Sequence, residues 1–517
     1  MTVIIHLLLI YILASNAATS DNRSNYDDQE RRFTQPQTTR EWIKPKNVKC
    51  LKDGFERPNF LNVVHNERQK AVVNAFKHAW SGYKKYAWGK DELKPESQSY
   101  DNGYQAGLTI VDGLDTAIIM GLKQETEEGI EWIHKNLTFV NNVHSVSVFE
   151  TTIRVLGGLL SSYHLTGDKI ILEKARDLGD RLLKAFHPEK SPYFPSVDVR
   201  LEGEKSIHGS YQYSLSEITS LQLEFRDLSY STGNATFDDY AFNISINIHN
   251  IGCPEFEGLC SLLLTDKGNF KKDTITMGAR ADSYYEYLLK QWIQTKQTID
   301  WLRDDFLQAM SATKKYLIRK TRPNNYWIVG EIRDGNSYYG KMDHLACFLS
   351  GTLALSHANN LDPEHLEMAE EIGKTCYEMY NNPTGLGPEI IHGNGKDMFD
   401  QSPIDIFVKP RDSHSLLRPE AVEAWFYLYR MTGDKKYQEW GWKVFQSIEK
   451  YAKVESGGYS SIQNVLVNKP VKTDKMESFF LAETLKYLFL LLSDDQSILP
   501  LDEWVFNTEA HPLPIHC

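Results

Sequence analysis

The chain has 517 residues, 41% of them hydrophobic, and a formal net charge of −12. With no block of Lys or Arg, that acidic balance speaks against nucleic acid or an anionic membrane surface as partner and leaves a neutral or cationic small molecule open. At ~150 residues per domain the length would hold about three domains, but an internal repeat argues for one.

The N-terminus carries an apolar run from Val3 to Ala14, broken by His6 and followed by Ser15, Asn16 and Ala17. It falls short of the ~20 apolar residues that span a bilayer, so residues 1–17 read as a signal peptide or short anchor, with cleavage favoured although a basic n-region is missing. Residues 18–60 are polar and charged, a stem or linker. A single folded domain is expected over 61–517, tied to a membrane only through the N-terminal segment if that is uncleaved. Sequons at Asn22, Asn136, Asn234 and Asn243 support a secretory route. In such an oxidising compartment the six cysteines can pair. Cys347 with Cys376 and Cys253 with Cys260 are the candidate intradomain pairs, Cys50 and Cys517 remain near the termini, and 15 connectivities exist.

From Glu67 onward apolar residues recur at helical spacing, as in Val72, Ala75, Phe76, Ala79 and Trp80, and strand-like alternation is scarce. Three turns share a signature, Leu165-Thr166-Gly167-Asp168, Ser231-Thr232-Gly233-Asn234 and Met431-Thr432-Gly433-Asp434. In each, Gly suits a left-handed helix end and Asp or Asn a cap for the next helix. Their threonines are 66 and 200 residues apart, the second close to three times the first. Weaker helix starts near Thr298 and Asp362 fall close to the missing phases. One period is one helical hairpin, and the folded part holds about seven, enough for an open solenoid or a closed toroid. The apolar run from Leu485 to Leu492 is too short to span a membrane and reads as a buried helix.

Acids sit at the ends of these helices. Asp112 and Asp115 lie in an apolar segment, Glu150 stands among apolar neighbours with Arg154 one turn on, and Glu217 follows in a third such setting. Asp282 and Glu286 form a like-charge i,i+4 pair that something must offset, with Arg280, a shared proton or a cation as the options. Glu389 and Glu477 occupy similar surroundings. In Leu416-Leu417-Arg418-Pro419-Glu420-Ala421-Val422-Glu423, Pro419 fits the first helical position, so Glu420 falls where free backbone N–H groups favour a carboxylate, beside Glu423. So many acids around a helical toroid suggest a carboxylate-lined pocket, suited to glycoside hydrolysis or to a hard cation.

The motifs VFETTIRVLGGLLSSYHLTGD, ITSLQLEFRDLS, MGARADSYYEYLLKQW, KMDHLACFLSGTLAL, LLRPEAVEAWFYLYRMTGDKKYQEWGWKVF, KMESFFLAETLKYLFLL and FNTEAHPLP closely resemble glycoside hydrolase family 47, the class I α1,2-mannosidases of the secretory pathway. The resemblance spans roughly residues 62–514. It implies an all-α (α/α)7 barrel closed at one end by a C-terminal β-hairpin, and a disulfide between Cys347 and Cys376. It also implies a Ca2+ ion on the backbone and side-chain oxygens of Thr508, with waters held by acids including Glu509. Carried over residue by residue, Glu150 resembles the general acid, Glu420 the base that activates water, Asp282 a third catalytic carboxylate and Glu389 a further acid of the site. The proton can come from Glu150 or from Asp282. Asp115, Arg154, Glu217, Arg280, Glu286, His344, Arg418, Glu423 and Glu477 match positions lining the sugar and metal site.

By the same resemblance the protein is expected as a monomer in the endoplasmic reticulum or early Golgi lumen, or secreted, acting on high-mannose N-glycans. Broader Golgi-type trimming and a mannose-binding quality-control protein of the degradation-enhancing branch are the alternatives. Arg280 points to the endoplasmic-reticulum type, which removes one middle-branch mannose to leave an eight-mannose glycan.

Overall fold

The computed structural model describes residues 57–516 apart from 62–63, 141–144, 189–191, 204–211, 254, 397, 399–402 and 496. The expectations for the N-terminal segment and stem up to residue 56, for Asn22, and for Cys50 and Cys517 lie outside the described residues.

Among the described residues, fourteen helices form two concentric rings of seven. The inner ring comprises α2 (Leu108–Ile119), α4 (Gly157–Thr166), α6 (Gln222–Thr232), α8 (Asp282–Gln294), α10 (Phe348–Ala358), α12 (Glu420–Thr432) and α14 (Leu485–Leu491). The outer ring comprises α1 (Glu67–Tyr86), α3 (Lys123–Asn136), α5 (Lys169–Leu182), α7 (Thr236–Ile251), α9 (Asp300–Ala312), α11 (Glu364–Glu378) and α13 (Lys436–Tyr451). Each inner helix packs against an outer partner and the next inner helix along the chain, the turn Phe480–Thr484 leading into α14 closes the ring against α2, and α14 takes the first helix, α1, as its partner. This is the closed (α/α)7 barrel.

At the extremes, composition matches the ring a helix joins. Every residue of α2 and α14 is buried, whereas α3 buries only Gly129 and Ile133 and keeps a charged outer face; an all-round apolar helix must be enclosed and a one-sided helix can coat it. The three expected turns are present, with Gly167, Gly233 and Gly433 at φ of 77°, 74° and 67°. Asp168 caps Ile170 and Ile171, and Asn234 and Asp434 accept from the N–H groups of Thr236 and Lys436. The repeat also appears as lateral hydrogen bonds between neighbours one period apart, His164 to Asp227, Ser216 to Asp282 and Thr484 to Leu417 being 63, 66 and 67 residues apart.

A hairpin of β1 (Trp504–Phe506) and β2 (Pro512–Pro514) is inserted into the ring, with Val505 opposite Leu513. Asn507 organises its tip: Oδ1 accepts from the N–H groups of Glu509 and His511, while Nδ2 donates to Ile153 O and Glu224 Oε1. Two glycines on α4 allow close approaches, one by the hairpin and one by α2. A Cβ on Gly157 would stand 2.7 Å from Asn507 Nδ2, and one on Gly158 would stand 2.5 Å from Val111 O of α2. Disulfides join Cys347 to Cys376, across the α10–α11 pair, and Cys253 to Cys260, after α7. Asn136 and Asn234 are exposed and Asn243 is half-buried. Among the described residues no helix is long and apolar enough to cross a membrane.

Candidate active site

The starts of α8, α10 and α12, together with the segments leading into α4 and α14, converge on a cavity of about 300 Å³. Glu150 ends a single turn, Val148–Glu150, and its own N–H donates to Ser147 Oγ at 3.2 Å. A wider π-helical turn, Thr151–Leu156, then leads into α4, and a second one, Phe480–Thr484, leads into α14 and carries Glu483. Such turns change the aim of side chains and recur at functional sites. Asp282 opens α8 and Glu420 opens α12. Pro419 stands just before Glu420 rather than inside the helix, one position earlier in the cap than the sequence predicts.

The cavity is walled by Glu150, Arg154, Glu217, Arg280, Asp282, Glu286, Arg418, Glu420, Glu423, Thr508 and Glu509 from among the expected residues, with Phe149, Phe348 and Phe479 as apolar surface. Four expected residues stand elsewhere. His344 is buried behind Glu420, with Nδ1 2.8 Å from Glu420 Oε2 and Nε2 2.8 Å from the Tyr380 hydroxyl. Glu389 supports Arg418, accepting from its Nε at 2.6 Å and from Leu416 N–H at 3.2 Å. Glu477 pairs with Lys475 at 2.7 Å. Asp115 is wholly buried deeper in the barrel, bonded to Lys486 Nζ, His511 Nδ1 and Ser161 Oγ.

Two carboxyl groups in this cavity are held in opposite states. Asp282 is pushed up to about 7 by burial, despite hydrogen bonds from Ser216 Oγ and Ser283 N–H, with the charges of Glu286 and Glu420 adding to the shift. Burial acts the same way on Glu420, but the His344 hydrogen bond and the Arg418 guanidinium outweigh it and hold that carboxyl below its ordinary value. Glu217 is raised by burial against the pull of Arg280. Arg280 itself sits at φ 75° with its carbonyl fixed by Ser216 N–H at 2.9 Å, a backbone conformation unusual for a long side chain and associated with functional sites.

The like-charge pair Asp282/Glu286 has its offset in a residue that the sequence reading passed over. Lys290, one turn beyond Glu286 and buried with it, puts Nζ 2.5 Å from Glu286 Oε1 and 4.0 Å from Glu423 Oε1. The i,i+4 Glu–Lys spacing was its signal. Glu483, within the motif KMESFFLAETLKYLFLL, is a further acid of the site; it faces the cavity and is raised well above its ordinary range by burial and then by Glu509, Glu420 and Glu423. Glu509 is raised too, by burial and by Asp112 and Glu150, against Arg154.

This surplus of buried acids, next to the Thr508 oxygens at the hairpin tip, is an all-oxygen donor set that fits a hard divalent cation. No three pocket carboxylates converge closely enough to ligate one ion among the described residues, so water would complete its shell.

A closed double ring of helices with opposed carboxyl groups at the mouth of its inner ring belongs to the class of helical-barrel glycosidases. The model of glycosyl hydrolase family 47 matches residues 75–515, and the chain belongs to that family and is a glycoside hydrolase. It is 50% identical over 455 residues to an endoplasmic reticulum mannosyl-oligosaccharide 1,2-alpha-mannosidase of Rattus norvegicus, covering 87% of this chain and 68% of the rat protein. The Homo sapiens protein of the same name is 50% identical over 463 residues, with 87% and 65% covered. The chain therefore spans about two thirds of the length of these relatives. A solved alpha-1,2-mannosidase from Trichoderma reesei shares the fold with a TM-score of 0.81 at 28% identity, covering 87% of this chain and 99% of that one.

Proposed function

We propose that the protein is a Ca2+-dependent, inverting exo-α1,2-mannosidase that trims high-mannose N-glycans in the secretory lumen, with a single middle-branch mannose as the preferred residue. The observation that carries this is the pair Asp282 and Glu420, one carboxyl poised to hold a proton near neutral pH and the other to stay ionised; opposed protonation of two acids in one pocket marks the acid and the base of a glycosidase.

Glu420 takes a proton from water as that water attacks the anomeric carbon, and His344 and Arg418 hold its carboxylate in place. Asp282 gives its proton to the departing glycosidic oxygen. The resemblance offers Glu150 for that step; what favours Asp282 is its burial, and the fact that Glu150 Oε2 already accepts from Arg154 Nε at 2.8 Å. Inversion needs acid and base about 6.5–9.5 Å apart so that water fits between them and the sugar. Thr508, with Glu509 through water, would hold the Ca2+ ion, which when bound neutralises the acidic cluster and orients sugar hydroxyls. Phe479 and Phe348 give the sugar ring apolar surface, and Arg280, at the open rim, contacts the neighbouring branch.

The test is incubation of the purified protein with a nine-mannose glycan, with and without chelator. Release of free mannose and one dominant eight-mannose product, both lost in chelator, supports the assignment; glycan binding without mannose release supports the quality-control alternative.

A further inference from the structure

At the opposite end of the barrel, three side chains from separate parts of the chain converge. His164 lies in the last turn of α4, Asp227 lies in α6, and His516 follows β2. His164 Nε2 is 2.8 Å from Asp227 Oδ2 and His516 Nε2 is 2.5 Å from Asp227 Oδ1, and the three ligand atoms lie within 4.8 Å of one another. Asp227 is wholly buried and the two imidazoles are only 11% and 10% exposed. His164 is 14 residues past Glu150, so the cluster is about 20 Å from the cavity at the helical rise. The family match ends at residue 515, one before His516.

We propose that His164, Asp227 and His516 form a second metal site, taking a first-row divalent cation of the Zn2+ type and latching the base of the β1–β2 hairpin to α4 and α6. The chemistry of the donors separates it from the pocket: two imidazole nitrogens and one carboxylate select borderline ions such as Zn2+ over Ca2+. Tetrahedral bonds of ~2.0–2.1 Å place ligand atoms about 3.3 Å apart, so the two imidazole–carboxylate contacts, at 2.8 and 2.5 Å, need open only slightly to admit an ion. Both histidines turn the same nitrogen, Nε2, to the shared carboxylate. The His516 ring is held flat against Tyr230, with centroids 4.1 Å apart and planes 12° off parallel, so its direction is fixed in advance. The C-terminal end of α4 also favours a cation there. Ser231 Oγ, 3.4 Å from His164 Nε2, or water completes the set. The latch bears on the site because the hairpin whose base it grips carries Thr508 and Glu509 at its tip.

The experiment is equilibrium dialysis of the full chain against Zn2+ with Ca2+ in saturating excess, comparing wild type with His516→Ala and His164→Gln, alongside thermal melts. One Zn2+ per wild-type chain, a higher Tm with Zn2+, and affinity in each variant weakened by more than the ~10–100-fold that loss of an outer-shell partner costs are expected. His516→Gln keeps a hydrogen bond to Asp227 but is a poor ligand, so it should lose Zn2+ while melting like the wild type without metal. No bound Zn2+ in the wild type, or equal Zn2+ affinity in wild type and variants, overturns the proposal and leaves a hydrogen-bonded clamp.

Discussion

His344 Nδ1 lies 2.8 Å from Glu420 Oε2, and with the Arg418 guanidinium it holds this buried carboxyl below its ordinary value. Glu420→Gln should cut kcat by ~10² or more, as expected when general-base assistance is lost, with the circular dichroism of the wild type. His344→Ala should act through Glu420: without the imidazole, burial raises the carboxyl, so the acidic limb of the kcat profile moves to higher pH. A limb that stays in place removes His344 from its positioning role.

Asp282, pushed up to about 7 by burial, should set the alkaline limb. Activity falls as pH rises through that value because the acid loses its proton. Asp282→Asn should lower turnover by ~10²–10⁴ and abolish the limb. Glu150→Gln should also slow turnover, by ~10² or more, but keep the limb; if the limb disappears with Glu150→Gln and survives Asp282→Asn, the proton belongs to Glu150.

Chelation should abolish activity and lower the melting temperature, since an ion at 100 times its Kd stabilises the folded state by about 2.7 kcal/mol. Thr508→Ala, which keeps the backbone oxygen, should weaken the ion less than chelation does. pH gives a second readout. Asp282 and Glu224 rise from ordinary values of 3.8 and 4.5 to about 7 through burial, so the stability they contribute is complete below about pH 4 and is lost as pH rises through 7. Metal-free protein should therefore melt lower at pH 8 than at pH 5, and Ca2+ should reduce that difference. The opposite contributions of Asp227 and Asp115, whose carboxyls are held below 3.8 by their histidine and lysine partners, are lost only under more acidic conditions. Equal melting points with and without chelator would sink the Ca2+ assignment.

Lys290→Met removes the cation between Glu286 and Glu423. Breaking a buried pair from one side costs about 3–5 kcal/mol, so chemical denaturation should show a loss of that size, least at low pH where the orphaned acids are protonated. A loss under 1 kcal/mol would mean that the acids share a proton.

Arg280→Leu tests branch choice. With Lys290 already seated on Glu286, balancing that carboxylate is not what Arg280 is needed for, so its loss should slow middle-branch cleavage and admit other branches. An unchanged ratio of eight-mannose isomers at lower overall rate would refute the specificity role.

The helical rings and their turns were legible because period and capping are local: Gly167 with Asp168 needs no knowledge of the rest of the chain. The acids at helix starts were legible for the same reason, Glu420 and Asp282 among them. What the residues alone did not disclose were partnerships across the ring. Asp115 looks like a pocket acid until Lys486 and His511, 371 and 396 residues away, are seen to enclose it. Lys486 stands in an apolar run, where a cation signals a buried partner without naming it. His344 and Glu389 likewise acquire their positions only when distant segments meet Glu420 and Arg418. Local spacing marks which groups must be compensated, and closure of the ring decides by what.

That closure also sets an order of events during translation. Neighbouring hairpins can zip up about one repeat at a time, but α1 must wait for α14, and Asn66 Nδ2 finds Leu492 O across 426 residues. Thr508 and Glu509 emerge later still. A ribosome-bound chain is thus an open arc with a bare apolar inner wall and no catalytic competence, exposed to aggregation while its longest-range contacts remain unmade. Until those residues arrive, this glycoside hydrolase is the kind of unfinished client that folding helpers must shelter.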